Sequence, residues 1–140
     1  MTTIVAITGG TYTWIGCDLL CVAAGNTKAG PVRKWVRLDD IHVAGVVGNL
    51  HEINMLEDHL PRGIAGPADF TEQLRALYKE RGYIPQQGEY GAPMYESGFI
   101  LARPGAIWDI DRGLSYMRIP IGRLWARGSG MDYALGAGRA

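Results

Sequence analysis

The chain of 140 residues carries 14 basic and 14 acidic side chains and is 47% hydrophobic, a balance that suits one domain with a continuous core. A net charge of zero provides none of the field by which proteins gather nucleic acid, anionic membrane or acidic substrates. The start MTTIVAIT lacks a basic segment followed by a long apolar run, and no stretch approaches the roughly eighteen apolar residues of a membrane span, so a single soluble cytoplasmic domain over 1–140 is expected.

In chain order, Thr2 to Thr8 is rich in β-branched residues, Gly9-Gly10 supplies a turn, and Thr13 to Ala24 resumes an apolar run, which together predict an N-terminal hairpin. Gly25-Asn26 and Gly30-Pro31 punctuate the next stretch, and Val32–Leu38 and Ile41–Val47 predict two further strands around Asp39-Asp40. Asn49 is a good N-cap for a helix whose apolar stripe runs through Leu50, Ile53, Leu56 and Leu60 before Pro61 and Gly63. A second helix is predicted from about Ala68 to Arg81, with Phe70, Leu74, Leu77 and Tyr78 on one face and Gly82 as its stop.

The segment 84–95 is turn-rich. Strand signals return at Gly98–Ala102, Ala106–Ile110 and Tyr116–Ile121, and Met131–Ala140 reads as a helix. This order favours helices packed on antiparallel sheets. Cys17 and Cys21 fall in one predicted strand, roughly 13 Å apart at about 3.3 Å per residue, too far to pair with each other. No second Cys/His pair stands at ligand spacing, so neither a metal site nor a cofactor is expected.

Thr2 follows the initiator Met, and aminopeptidase removal of Met1 would expose its α-amine, whose reference pKa of about 7.7 to 8.0 suits a base for the neighbouring hydroxyl. Asp18 interrupts the apolar run TWIGCDLL, where an unpaired carboxylate is costly. Lys34 is the natural partner, and an ammonium beside the Thr2 hydroxyl would lower that hydroxyl's pKa. The alternative places Lys34 in a solvated basic cluster with Lys28, Arg33 and Arg37. Gly48 closes the fourth predicted strand just before a helix, where its N–H can approach a carbonyl closely.

Taken together, TTIV, the GCD around Asp18, the RKWVRL around Lys34, HVAGVVGN ending past Gly48, and the late RGSGMDYALGA resemble the proteasome β-type, HslV-like threonine peptidase family over nearly the whole chain. The resemblance implies an α+β, four-layer αββα N-terminal nucleophile (Ntn) hydrolase sandwich. It implies Thr2 as nucleophile, Asp18 and Lys34 as its tuning pair, Gly48 as oxyanion-hole donor and Ser129 near the terminal amine. By the same analogy Cys21, Val32 and Val46 contact the side chain before the cut bond, favouring small to medium apolar residues. The implied substrate is a peptide or unfolded protein, the implied assembly a homo-oligomeric ring, and the implied partner an ATPase unfoldase; no nucleic acid or membrane partner is implied. Family members carry a final strand and helix beyond the GSG helix, so those C-terminal elements are expected to be missing here. A scaffold subunit without catalysis and an Ntn amidohydrolase acting on a small amide are the two alternatives.

Other motifs are discounted. GSGMDY at 128–133 is half a dinucleotide fingerprint without its third Gly. His51, Glu52, Glu57 and His59 do not form an H-E-x-x-H zinc site and read as a solvated helix face, while Asp109 and Asp111 read as capping or solvating a turn.

Overall fold

In the computed structural model, which describes residues 2–23, 27–59 and 63–139 and the side chains of all of these except 20–23, 27–30, 59 and 139, the β-branched N-terminal run forms β1 (Thr3–Thr8). Every second residue of β1 is buried, namely Ile4, Ala6 and Thr8. β1 pairs antiparallel with β2 (Thr13–Cys17), as the hairpin signal predicts. The apolar run does not continue as one strand. It breaks after Cys17, because the Asp18 N–H turns to the Thr3 carbonyl and the chain leaves the ladder. β3 (Leu20–Ala23) then pairs with β4 (Thr27–Pro31) instead. Asp18 therefore ends a strand rather than sitting within one, and Cys17 and Cys21 belong to different strands. Cys17 is a free thiol.

Next come β5 (Trp35–Arg37), shorter than expected, and β6 (Val43–Val47), followed by α1 (Leu50–His59) and α2 (Pro67–Glu80). The turn-rich segment contains the short pair β7 (Gln86–Gln87) and β8 (Pro93–Met94). β9 (Gly98–Arg103), β10 (Ala106–Ile110) and β11 (Tyr116–Ile119) form the predicted meander. β12 (Trp125–Gly128) escapes sequence reading: WARG has no apolar alternation, and its strand geometry comes from pairing with β1. α3 (Met131–Arg139) closes the described chain.

The two main sheets are three-stranded, in the order β12-β1-β2, and five-stranded, in the order β11-β10-β9-β6-β5. Alternation along β9 assigns each face of the larger sheet. Phe99 and Leu101 join Phe70, Leu74, Leu77 and Leu56 in the core beneath α1 and α2, while Ile100 and Ala102 join Ile4 and Ala6 of β1. The opposite face of β1 is half-buried, and α3 packs there against β1 and β12. The result is the expected four layers: helices, sheet, sheet, helix. The two sheets approach closely at Gly45, where a Cβ would lie 2.7 Å from Ile4 Cγ2. Among the described residues, no helix is long and apolar enough to cross a membrane, and no group of three or more His, Cys, Asp or Glu is placed to hold a metal ion.

The first helix departs from the expected solvated face. Asn49 caps it, its Oδ1 accepting the Glu52 N–H at 2.9 Å, but the Glu52 side chain turns inward and is fully buried. The reason is a hydroxyl pair, on Tyr78 and Ser97, that waits for it inside. Asp111 does cap its turn, accepting the N–H groups of Gly113 and Ser115, whereas Asp109 instead faces Arg127 of β12.

Asp39, after β5, ties the β5–β6 turn to the segment before α2. Its carboxylate accepts N–H bonds from Ile41, His42 and Ile64 and meets the His42 ring at 3.0 Å. Burial pushes this carboxyl up, but the three N–H donors and the imidazole outweigh burial and hold it at about 2, against an ordinary 3.8. Because the folded form binds the proton less readily than the unfolded chain, the carboxylate's stabilisation is complete above the ordinary value. It is lost as pH falls from about 4 to about 2. Urea unfolding across that window is expected to show falling stability in the wild type and a flatter dependence in Asp39→Asn, which is also less stable near neutrality. At the sheet interface, Gly45→Val is expected to cost about 1–3 kcal/mol, because Ile4 cannot yield the space.

Candidate active site

β1 begins at a point where several segments converge. The Thr2 carbonyl accepts the Ser129 N–H at 2.9 Å, with Ser129 Oγ at 3.5 Å, so the loop after β12 wraps the first described residue. Gly128 makes this wrap feasible: its φ is 110°, and a Cβ there would overlap the Thr2 carbonyl oxygen.

On the other side of β1, Asp18 reaches two elements at once. Oδ1 accepts the Thr3 N–H at 2.6 Å, and Oδ2 accepts Lys34 Nζ at 2.7 Å. One carboxylate thus carries an ammonium to the Thr2–Thr3 peptide. The Lys34 side chain is only 5% exposed, against 33% for Asp18, so the cation lies inside and its partner opens toward solvent. This decides against the solvated basic cluster. Arg33, by contrast, is exposed, pairs with Glu57 and lies over the Trp35 ring, and Arg37 is also exposed.

Lys34 is also tied to the strand that leads to Gly48. The Lys34 carbonyl accepts the Val46 N–H at 2.8 Å, two positions before Gly48, which is exposed just beyond the Val47–Gly98 pair. From β12, Arg127 closes the circuit. Its guanidinium bonds both oxygens of Asp109, at 2.6 and 2.9 Å, and covers Gly98, where a Cβ would lie 2.5 Å from Nη1. Thr2, Asp18, Lys34, Gly48 and Ser129 therefore gather at one end of the sandwich. An N–H donor at a strand-to-helix turn, a buried ammonium and a hydroxyl at the chain start are the parts needed for acyl transfer.

No protein-family model matches the sequence, and no curated protein matches it. Solved structures do match. BPH of Thiobacillus denitrificans superposes with a TM-score of 0.77 at 21% identity, covering 98% of this chain and 76% of that one. The same protein in complex with epoxomicin gives 0.73 at 22% identity, with the same coverage. The HslV of Trypanosoma brucei gives 0.62 at 19% identity, covering 98% of this chain and 77% of that one. The chain has the HslV-like, proteasome-type fold.

Within that proteasome-type fold, the residues expected beside a substrate side chain are placed less uniformly than the core of the site. Val32 is half-buried, its N–H bonded to the Leu19 carbonyl. Val46 is fully buried in the core under α1 and α2 and presents no open surface. The side chain of Cys21 lies outside those described. Sequence reading placed Asp109 at a turn and missed its pair with Arg127, which holds β12 against the larger sheet. They are 18 positions apart on different sheets, and nothing local announces the pair.

The asymmetric burial of the Lys34–Asp18 pair makes a prediction. Asp18→Asn keeps an oxygen for the Thr3 N–H while removing the charge that the buried ammonium touches, and should cost about 3 kcal/mol. Lys34→Met leaves a carboxylate that solvent can reach and should cost less. In urea denaturation the double variant is expected to match Lys34→Met rather than the sum of the two, and additive losses would contradict the coupling.

Proposed function

We propose that this chain is a threonine-type endopeptidase subunit whose nucleophile is the Thr2 hydroxyl, exposed together with its α-amine when Met1 is removed. The observation that carries this reading is the double use of Asp18, which holds the Thr3 N–H and Lys34 Nζ on one carboxylate. An ammonium held beside the Thr2–Thr3 peptide would favour the alkoxide form of the Thr2 hydroxyl.

In the proposed reaction the free α-amine takes the proton from Thr2 Oγ1 as the oxygen bonds to the peptide carbonyl carbon. The carbonyl oxygen becomes an oxyanion and is met by the Gly48 N–H, at the positive end of α1. Collapse of the tetrahedral intermediate breaks the C–N bond, and the leaving amine takes the proton back from the terminal ammonium. The resulting ester is hydrolysed by water in the reverse sense, with the amine again acting as base. Ser129, bonded through its N–H to the Thr2 carbonyl, keeps the residue from rotating away.

A peptide substrate is supported by the structural neighbours: one is an HslV and another is a BPH in complex with epoxomicin, a proteasome inhibitor. Assembly into a homo-oligomeric ring belongs to the same reading. It is supported by large apolar side chains left bare on the single chain, among them Ile84, Tyr90, Tyr116 and Met117.

Intact-mass measurement of the purified protein should show loss of Met1. A peptide epoxyketone should add one equivalent at Thr2, and Thr2→Ala should lower peptide turnover by at least about 10³-fold while leaving the fold intact. Retention of Met1 on the native protein, or labelling that survives Thr2→Ala, would exclude Thr2 as nucleophile.

A further inference from the structure

The turn that presents Gly48 rests on a buried polar network. Glu52, the third residue of α1, is 0% exposed. In a capping box an acid at this position reaches back to the N–H of the cap residue. Here it points inward and accepts hydrogen bonds from Tyr78 Oη of α2, at 2.6 Å, and from Ser97 Oγ. Ser97 is itself fully buried and immediately precedes β9. Its side chain lies against the α-carbon of Gly48, where an added Cβ would overlap Ser97 Oγ. A second tie runs in parallel, from Asn49 Nδ2 to the carboxylate of Glu96. Residues 48–52 are thus bonded to residues 96 and 97 at both the cap and the third helical position.

A carboxylate in this location is expensive, because α1 otherwise buries apolar side chains such as Ile53, Met55 and Leu56, and an apolar side chain at this position would desolvate no charge. What the carboxylate provides is direction. Both oxygens are engaged by hydroxyls from different elements, so α1, α2 and the start of β9 cannot slide against one another without breaking a bond. Burial, followed by the negative charge of Glu52, pushes the Tyr78 hydroxyl far above its ordinary range, so it remains a donor. The Tyr78 ring is fixed as well, stacked on Tyr95 with centroids 4.2 Å apart.

We infer that Glu52, acting through Ser97 and supported by Tyr78, is a positioning residue that sets the orientation of the Gly48 N–H toward the oxyanion. This rests on the reading of Thr2 as nucleophile given above. Glu52→Gln keeps the volume but offers an NH2 donor where one of the two hydroxyls must donate, so one contact inverts or breaks. Ser97→Ala removes the atom that lies against Gly48.

The test combines the Gly48 amide resonance, read by ¹⁵N–¹H NMR, with kcat and KM on a fluorogenic peptide for Glu52→Gln, Ser97→Ala and Tyr78→Phe. The expected result is a shifted, less protected Gly48 amide and a kcat lowered about tenfold with KM within about twofold. That loss is smaller than the roughly 10²–10³-fold of deleting an oxyanion donor outright. Tyr78→Phe, which leaves the Ser97 contact in place, is expected to show the smallest change and remains informative if Glu52→Gln fails to fold. Folded Ser97→Ala and Tyr78→Phe proteins with an unmoved Gly48 amide and wild-type kcat overturn the inference, as does a loss confined to melting temperature. A wild type that neither turns over peptide nor reacts with an epoxyketone refutes the Thr2 reading, while the Gly48 amide still decides whether Glu52 and Ser97 position it.

Discussion

The Asp18 carboxylate divides its two oxygens between the Thr3 N–H and Lys34 Nζ, and the alignment of β1 with the segment that bears Lys34 depends on that division. A buried ammonium is tolerated only where a charged acceptor recovers the desolvation cost, so Lys34 cannot drift from Asp18 without a penalty of several kcal/mol. Asp18 in turn cannot leave the start of β1, because its own N–H is committed to the Thr3 carbonyl. Lys34 is laddered to Val46 by its carbonyl, so the end of β6 is carried to the same point. The start of the three-stranded sheet and the strand that presents Gly48 are thereby joined through one carboxylate.

Packing supplies the second constraint, and it acts through glycine. Gly45 lets Ile4 descend onto β6, Gly48 lets Ser97 sit against the turn, and Gly128 lets the loop after β12 close over the Thr2 carbonyl. At Gly45 and Gly48 the requirement is space rather than an unusual backbone angle, whereas Gly128 needs both. Each contact shortens the distance between two segments that bear site residues. A methyl group at any of them would push apart the groups that Asp18 draws together.

Much of this architecture is legible in the sequence because the signals are local. Alternation in TIVAIT, the Asn49 cap and the apolar stripe of α2 are each set within a few residues, and each element forms where it is expected. Asp18 and Lys34 are legible as a pair because a carboxylate in an apolar run demands a partner. Some departures are local, such as β4 (Thr27–Pro31) running through the expected Gly30-Pro31 break, but those that shape the site are non-local. Strand β12 exists because β1 offers it an edge, Arg127 finds Asp109 on another sheet, and the run Thr13–Ala24 breaks because Asp18 bonds residues at the far end of the hairpin. Glu52 illustrates the limit most clearly: position three of a helix is ordinarily solvated, and only the hydroxyls of Tyr78 and Ser97, 26 and 45 positions away, turn it inward.

Two buried charges of opposite sign bracket the stretch from Val46 to Glu52. On its N-terminal side Lys34 is held by Asp18, and on its C-terminal side Glu52 is held by Tyr78 and Ser97. Apolar replacements of similar volume could be as stable or more so, since satisfied buried charges rarely exceed well-packed hydrocarbon in net stabilisation. Stability alone therefore does not account for both. Hydrocarbon contacts are nearly indifferent to rotation about their axes, whereas a hydrogen bond weakens steeply once donor and acceptor leave alignment. A turn fixed at each end by directional bonds holds Gly48 in one orientation. On the proposed function, an N–H there that must meet a developing oxyanion without first reorganising needs that property.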